Sequence, residues 1–123
     1  MNPKGVIVVV DDDSLVRSSL SRLLASAGYE VRTYASARDL LDAGGAGDAS
    51  CLVLDIYLGG MTGFGLEETL RAGGSKVPVV FVTAHDDAMT RTRAQFVRAG
   101  SYLRKPFSAD ALFAALDEAI GTC

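Results

Sequence analysis

Residues 6–15 read VIVVVDDDSL, a run of five β-branched residues that ends in three adjacent aspartates. β-Branched residues favour strands, and an almost wholly apolar run is typical of a strand buried on both faces of a parallel sheet. Three neighbouring carboxylates repel one another unless a cation shares the site. Asp11, Asp12 and Asp13 therefore either face water as a plain turn or converge on a cation.

Apolar runs recur along the chain, separated by stretches with helical periodicity. Alternation of strand and helix predicts an α/β fold, with a parallel sheet covered by helices on both faces. The run at residues 30–34 alternates apolar and polar residues, as an edge strand does. Besides residues 6–10, the predicted strands are EVRTY (30–34), CLVL (51–54), VPVVFV (77–82) and SYLR (101–104). The five predicted helices cover about residues 15–24, 36–41, 64–71, 87–98 and 108–120.

Composition narrows the class of protein. The chain has 123 residues, of which 49% are apolar and 22% charged, and this predicts one globular domain over residues 1–123. A net charge of −3 makes nucleic acid an unexpected direct partner. No apolar run reaches the roughly 18 residues of a membrane helix, so we expect a cytoplasmic domain without a membrane contact. Cys51 and Cys123 fit reduced thiols better than a disulfide.

Polar residues follow four of the predicted strands. The first strand ends in the three aspartates, the third in Asp55, the fourth in Thr83 and the fifth in Lys105. Ligands of open parallel sheets bind beyond the carboxyl ends of the strands. We therefore expect carboxylates, a hydroxyl and an ammonium to meet at one edge of the sheet.

This combination of groups suits phosphoryl transfer to a carboxylate. Mg²⁺ is typically held by one or two carboxylates with phosphate oxygens and waters, so Asp11 and Asp12 with Asp55 suit it. The metal and Lys105 would neutralise charge on the phosphoryl oxygens, and Thr83 would donate a hydrogen bond to the acyl phosphate. No G-x-x-x-x-G-K loop is present in the sequence, so the chemistry needs no nucleotide.

Four motifs resemble the receiver domain of two-component response regulators. They are VDDDSLVR (10–17), LVLDIYLGGMTG (52–63), FVTAH (81–85) and YLRKPF (102–107), and residues 16–37 are most similar to receivers of the nitrogen-fixation regulator type. The resemblance covers essentially the whole chain. It implies a flavodoxin-like, doubly wound (βα)5 fold whose five-stranded parallel sheet has the order 2-1-3-4-5.

The resemblance also implies roles for the acidic residues. Asp55 matches the phosphoacceptor of the family. Asp11 and Asp12 match the acidic pair that serves Mg²⁺, with Asp12 as the direct ligand. The backbone carbonyl of Tyr57 falls where the family gives the metal a main-chain oxygen.

The remaining matches concern the switch and the partners. Thr83 and Lys105 match the switch hydroxyl and the phosphate-pairing lysine, and Tyr102 matches the aromatic that turns inward. The peptide bond before Pro106 falls where the family commonly has a cis bond. The implied donor is a sensor histidine kinase or phosphotransfer protein. Phosphorylation would switch the face formed by the fourth helix, fifth strand and fifth helix, with a homodimer as one outcome. The domain would catalyse only its own phosphorylation and dephosphorylation.

Two departures from the family pattern stand out. Leu58 is followed by Gly59 and Gly60 where the family usually has a proline, which predicts a looser loop. Residues 99–100, Ala-Gly, lie unusually close to Tyr102, which predicts an altered shape for the neighbouring face.

Several alternatives stay open. Asp13 is either the N-cap of the first helix or a third metal ligand. His85 either lines the rim of the site or acts as a general base. A phosphatase would carry the phosphoryl group on Asp11, and an unphosphorylated interaction module would carry none. Both a standalone receiver and one followed by an output domain after Cys123 fit the sequence.

Overall fold

The computed structural model of the chain describes residues 4–84 and 101–121. Within these ranges lie five strands and four helices. The fourth predicted helix, at residues 87–98, lies outside the described residues, so α4 below corresponds to the fifth predicted helix. The strands are β1 (Val6–Val10), β2 (Glu30–Tyr34), β3 (Cys51–Asp55), β4 (Val79–Thr83) and β5 (Ser101–Arg104). The helices are α1 (Ser14–Ser26), α2 (Ala37–Asp42), α3 (Gly63–Ala72) and α4 (Ala109–Ile120).

All five strands are parallel and lie in the order β2-β1-β3-β4-β5. The predicted α/β class and flavodoxin-like strand order are therefore confirmed, and EVRTY is an edge strand as expected. β4 begins at Val79 rather than at the predicted residue 77, because Pro78 has no N–H to donate to the ladder. Asp55 pairs with Val82, and Thr83 pairs with Arg104, so the carboxyl ends of three strands lie level with one another.

Two apolar clusters, one on each face of the sheet, form the core. Alternate residues of each strand point to opposite faces. Val8 and Val10 accordingly join one cluster with α2 and α3, whereas Ile7 and Val9 join the other with α1 and α4. Burial raises the pKa of the free Cys51 thiol to about 12 in this second cluster, which keeps the thiol protonated. Cys123 lies outside the described residues.

Side-chain caps fix where the helices begin. Asp13 Oδ1 accepts hydrogen bonds from the N–H groups of Leu15 at 2.9 Å and Val16 at 3.4 Å, so Asp13 is the N-cap of α1. This agrees with the first of the two roles that the sequence allowed for Asp13. Ser36, Thr62 and Ser108 cap the other three described helices in the same way. No helix among the described residues is long and apolar enough to cross a bilayer.

Candidate functional site

The carboxyl edge of the sheet brings the predicted polar residues together. Asp11 directly follows β1, Asp55 and Thr83 are the last residues of β3 and β4, and Lys105 directly follows β5. Asp11, Asp55 and Thr83 are buried, with exposed fractions of 1%, 6% and 0%. Burying a polar or charged group costs free energy unless the group is paired, so the contacts of these three residues define the candidate site.

Lys105 connects two of the carboxylates. Its Nζ donates to Asp11 Oδ2 at 2.7 Å and to Asp55 Oδ2 at 3.3 Å. Its backbone N–H donates to Thr83 O at 2.7 Å, which fixes the start of the lysine side chain beside the end of β4. The ammonium of Lys105 therefore lies between two buried carboxylates, one at the end of β1 and one at the end of β3.

Asp11 is held through its backbone as well as its side chain. Its N–H donates to Tyr34 O at 3.2 Å, and its Oδ1 accepts from the N–H of Asp13 at 2.9 Å. Its backbone carbonyl accepts from Nη1 of Arg17 at 2.7 Å. The turn at residues 11–13 is thus anchored to β2 on one side and to α1 on the other.

Asp11, Asp12 and Asp55 form an acidic cluster with the donor set that Mg²⁺ prefers. One carboxylate oxygen from each lies within 4.8 Å of the others, and Asp12 is the exposed member. Three carboxylates and the Lys105 ammonium leave a net charge of −2, which one divalent cation balances. An all-oxygen set of this charge fits Mg²⁺.

Tyr57 closes the site on the side of β3. Its backbone N–H donates to Asp55 Oδ1 at 3.1 Å, so both carboxylate oxygens of Asp55 have a donor. Tyr57 as a whole is 41% exposed. The proposed metal-binding role of the Tyr57 carbonyl stays a prediction.

The environment shifts the pKa values of the central pair upward. Burial raises the pKa of the Asp55 carboxyl, and the Asp11 carboxylate adds to this, outweighing the Tyr57 N–H and Lys105. Burial alone would lower the pKa of Lys105, but its hydrogen bond to Asp11 and the two nearby carboxylate charges raise it overall. Lys105 is therefore an ammonium at neutral pH.

The predicted switch residues lie on one face of the sheet. Tyr102 pairs with Phe81, which stands two residues before Thr83 on β4. Because side chains alternate along a strand, Phe81, Thr83 and Tyr102 share a face. Tyr102 is partly buried against the cluster that contains α2 and α3. His85 and the Ala-Gly pair at residues 99–100 lie outside the described residues.

The loop after Asp55 shows how the chain replaces the usual proline. An isolated antiparallel bridge joins Tyr57 to Thr62, and Leu58 is buried in the core. Gly59 has a φ of +83°, a value that proline cannot adopt. This glycine is therefore required by the local backbone, and the prediction that the loop is looser awaits measurement.

Two contacts of the site were not predicted from the sequence. A Cβ added at Gly63 would lie 2.5 Å from Asp55 O, so α3 begins in direct contact with the backbone of Asp55. The sequence carries no signal for this contact, because a glycine just before a predicted helix is also common as an N-cap. The bond from Arg17 to Asp11 O has no signal in the sequence, because it depends on the path of a long side chain.

The chain belongs to the response regulator receiver domain family, which matches residues 7–117. The transcriptional regulatory protein TdiR of Thauera aromatica is 37% identical over 116 residues, which are 94% of this chain and 51% of TdiR. FixJ of Bradyrhizobium diazoefficiens is 37% identical over 120 residues, which are 98% of this chain and 58% of FixJ. The chain thus spans about half the length of these relatives. Similarity to FixJ confirms the expected subfamily.

Solved structures agree with this assignment. Full-length FixJ from B. japonicum superposes with a TM-score of 0.86 at 36% identity, covering 97% of this chain and 59% of that one. The chemotaxis protein CheY4 of Vibrio cholerae superposes with a TM-score of 0.84 at 26% identity, covering 97% and 99%. Members of this family bind Mg²⁺ in an acidic pocket and are not generally enzymes in the ordinary sense.

Proposed function

We propose that residues 1–123 form a phosphorylation-controlled switch that accepts a phosphoryl group on Asp55. The donor is a sensor histidine kinase or phosphotransfer protein, and the domain works in the cytoplasm. The observation that carries this proposal is the buried Asp55 carboxylate, bound on one oxygen by Lys105 and on the other by the Tyr57 N–H. Asp55 ends β3, the central strand of the sheet.

In the transfer, an oxygen of Asp55 forms a bond to phosphorus while the bond from phosphorus to the donor nitrogen breaks. Lys105 already lies 3.3 Å from Asp55 Oδ2, so its ammonium would neutralise charge on the phosphoryl oxygens without a large movement. Asp11, Asp12, Asp55 and the Tyr57 carbonyl would hold Mg²⁺, which supplies further charge neutralisation. Only the domain's own phosphorylation and hydrolysis are catalysed.

The phosphoryl group would then act as a new ligand inside the domain. The acyl phosphate carries about −1.5 to −2 charge where the carboxylate carried −1, and it brings three acceptor oxygens to the site. Thr83 and Lys105 would bind those oxygens, and Tyr102, on the same face as Thr83, would move inward. The face that contains β5, α4 and the predicted fourth helix would change its population of conformations as a result.

An exposed apolar groove beside the site supports a protein donor. The groove has a volume of about 550 Å³, and Lys105 is one of its lining residues. The same lysine contacts Asp11 and Asp55 of the acidic cluster. Leu15, at its rim, is 76% exposed, which is unusual for a large apolar side chain. We propose that the phosphodonor protein docks here. Apolar lining comes from Leu15, Val16, Leu20, Leu23, Pro106 and Phe107.

The output of the switch is proposed to be transcription. TdiR and FixJ are named as transcriptional regulatory proteins, and each is about twice as long as the matched region. Control would pass to an output domain or to a separate partner, and phosphorylation would favour a homodimer. The domain itself, with a net charge of −3, would not bind nucleic acid directly.

Intact mass spectrometry tests the proposal. Wild type, Asp55→Asn and Asp11→Asn are incubated with MgCl₂ and acetyl phosphate, and each mass is compared with an untreated sample. We expect a gain of one phosphoryl group in the wild type and none in Asp55→Asn. A gain that persists in Asp55→Asn and is lost in Asp11→Asn would instead indicate the phosphatase alternative. No gain from acetyl phosphate or from a donor kinase would indicate an unphosphorylated module.

A further inference from the structure

Arg17 contacts both ends of the turn that carries the first two aspartates. Its Nη1 donates to the backbone carbonyl of Asp11 at 2.7 Å, six residues earlier in the chain. Its backbone N–H donates to Asp13 O at 3.0 Å, as part of the first turn of α1. The side chain is partly buried, so water competes with this contact only in part.

The hydrogen bond from Arg17 satisfies the backbone carbonyl of Asp11, whose other polar groups already have partners. The N–H and both carboxylate oxygens of Asp11 are bound by Tyr34, Asp13 and Lys105. The carbonyl lies one residue beyond β1 and takes its donor from Arg17. A buried carbonyl without a donor is costly, so the turn would rotate to find one if Arg17 were removed. Such a rotation would move the exposed Asp12 carboxylate relative to Asp55.

We infer that Arg17 is a positioning residue that holds the turn at residues 11–13 in the conformation required for Mg²⁺ binding. This inference rests on the proposed function, because it presupposes the metal site formed by Asp11, Asp12 and Asp55. Arg17 is not one of the residues proposed to hold the metal or to bind the phosphoryl group. It acts through the backbone of Asp11, as hydrogen-bonded supports of metal ligands do elsewhere.

Charge and positioning predict opposite effects of removing Arg17. A guanidinium close to a cation site repels the cation, so loss of the charge alone would strengthen Mg²⁺ binding. Loss of the hydrogen bond releases the turn and would weaken Mg²⁺ binding. Removal of such a supporting group typically lowers metal affinity by about 10- to 100-fold. The sign of the measured change therefore separates the two roles.

The test is a calorimetric titration with MgCl₂ of wild type, Arg17→Met, Arg17→Lys and Arg22→Met. Arg22 is an exposed residue of the same helix, so Arg22→Met removes one positive charge without touching the turn. We expect Arg17→Met to raise the Kd for Mg²⁺ about tenfold. Arg17→Lys, which keeps a charged donor, should recover most of the affinity, and Arg22→Met should bind as the wild type does. Equal or tighter binding by folded Arg17→Met would overturn the inference.

Denaturant unfolding in EDTA and in MgCl₂ separates positioning from a general loss of stability. If Arg17 only stabilises the fold, its replacement would lower the free energy of unfolding equally in EDTA and in MgCl₂, and that result would overturn the inference. We expect the stabilisation that Mg²⁺ adds to shrink in Arg17→Met. If Arg17→Met does not fold, Arg17→Lys and Arg17→Gln serve in its place, with Gln expected to bind Mg²⁺ more weakly than Lys. Absence of Mg²⁺ binding in the wild type would overturn the metal site itself, together with this inference.

Discussion

Replacing Lys105 with methionine should destabilise the metal-free protein and make its stability depend strongly on Mg²⁺. In the wild type, the Lys105 ammonium lies 2.7 Å from Asp11 Oδ2 and 3.3 Å from Asp55 Oδ2. The lysine side chain is 19% exposed and that of Asp11 is 1% exposed. Breaking a buried ion pair by removing one partner costs about 3–5 kcal/mol, since the remaining charge stays buried and unpaired. Because the ammonium is partly exposed, we expect about 3 kcal/mol.

Mg²⁺ should restore part of this loss. Removal of the lysine charge takes the cluster of three carboxylates and one ammonium from −2 to −3. In the wild type a cation must compete with the ammonium for the same oxygens, whereas in Lys105→Met it does not. A ligand present at 100 times its Kd stabilises the folded state by about 2.7 kcal/mol, and a lower Kd gives more. The free-energy gain from Mg²⁺ should therefore be larger in the variant than in the wild type.

Urea unfolding followed by circular dichroism measures these quantities. Wild type, Lys105→Met and Lys76→Met are each unfolded in EDTA and in MgCl₂ at the same ionic strength. Lys76 is exposed, so Lys76→Met is the control for loss of a lysine charge outside the site. Equal gains from Mg²⁺ in the wild type and in Lys105→Met would refute the competition between lysine and metal. A loss of under about 1 kcal/mol in EDTA, the range of an exposed pair, would refute the buried ion pair itself.

Three further predictions concern the loop, the groove and the acceptor. Gly59→Ala should lower the free energy of unfolding by about 1 kcal/mol, because the φ of Gly59 is +83°, whereas Gly60→Ala should be nearly neutral. An added Cβ meets no other atom at either position, so equal losses of stability in urea unfolding would contradict the backbone explanation. Leu15→Asp should slow phosphotransfer from a donor protein at least tenfold and leave phosphorylation by acetyl phosphate unchanged, as measured by intact mass. An equal loss of phosphorylation from the protein donor and from acetyl phosphate would argue against docking in the groove. Burial raises the pKa of Asp55 in the folded state, so the folded state holds this proton more tightly than the unfolded state does. Without metal, the free energy of unfolding should therefore fall as the pH rises from the unfolded-state pKa of Asp55 through its folded-state pKa. Asp55→Asn lacks this group, so in EDTA it should be more stable than the wild type at pH 7, with a difference that disappears at acidic pH.

Much of the fold was predictable because its signals are local. The apolar runs before Asp11, Asp55 and Thr83 are long enough to be strands and too apolar to face water. Parallel strands then bring their carboxyl ends to one edge, so the residues that follow the runs had to meet. The caps Asp13 and Ser36 could be recognised because a short oxygen-bearing side chain precedes each helical stretch.

Contacts set by tertiary geometry could not be predicted in the same way. Arg17 reaches Asp11 O only through one particular path of its long side chain. Gly63 meets Asp55 O because α3 starts directly against the end of β3. Gly59 has a positive φ and the adjacent Gly60 does not, a difference that two neighbouring glycines in the sequence do not reveal. Neither the contact of Arg17 nor that of Gly63 joins residues whose spacing carries a periodic signal.

Borohydride reduction of the phosphorylated protein identifies the residue that carries the phosphoryl group. Hydride reduces an aspartyl phosphate to a primary alcohol and leaves free carboxylates unchanged, so the acceptor residue becomes homoserine. Wild type treated with acetyl phosphate and MgCl₂ is reduced, digested and sequenced by tandem mass spectrometry, with an unphosphorylated sample as control. We expect homoserine at position 55 and unchanged aspartate at positions 11, 12 and 13. Homoserine at position 11 with unchanged Asp55 would contradict it.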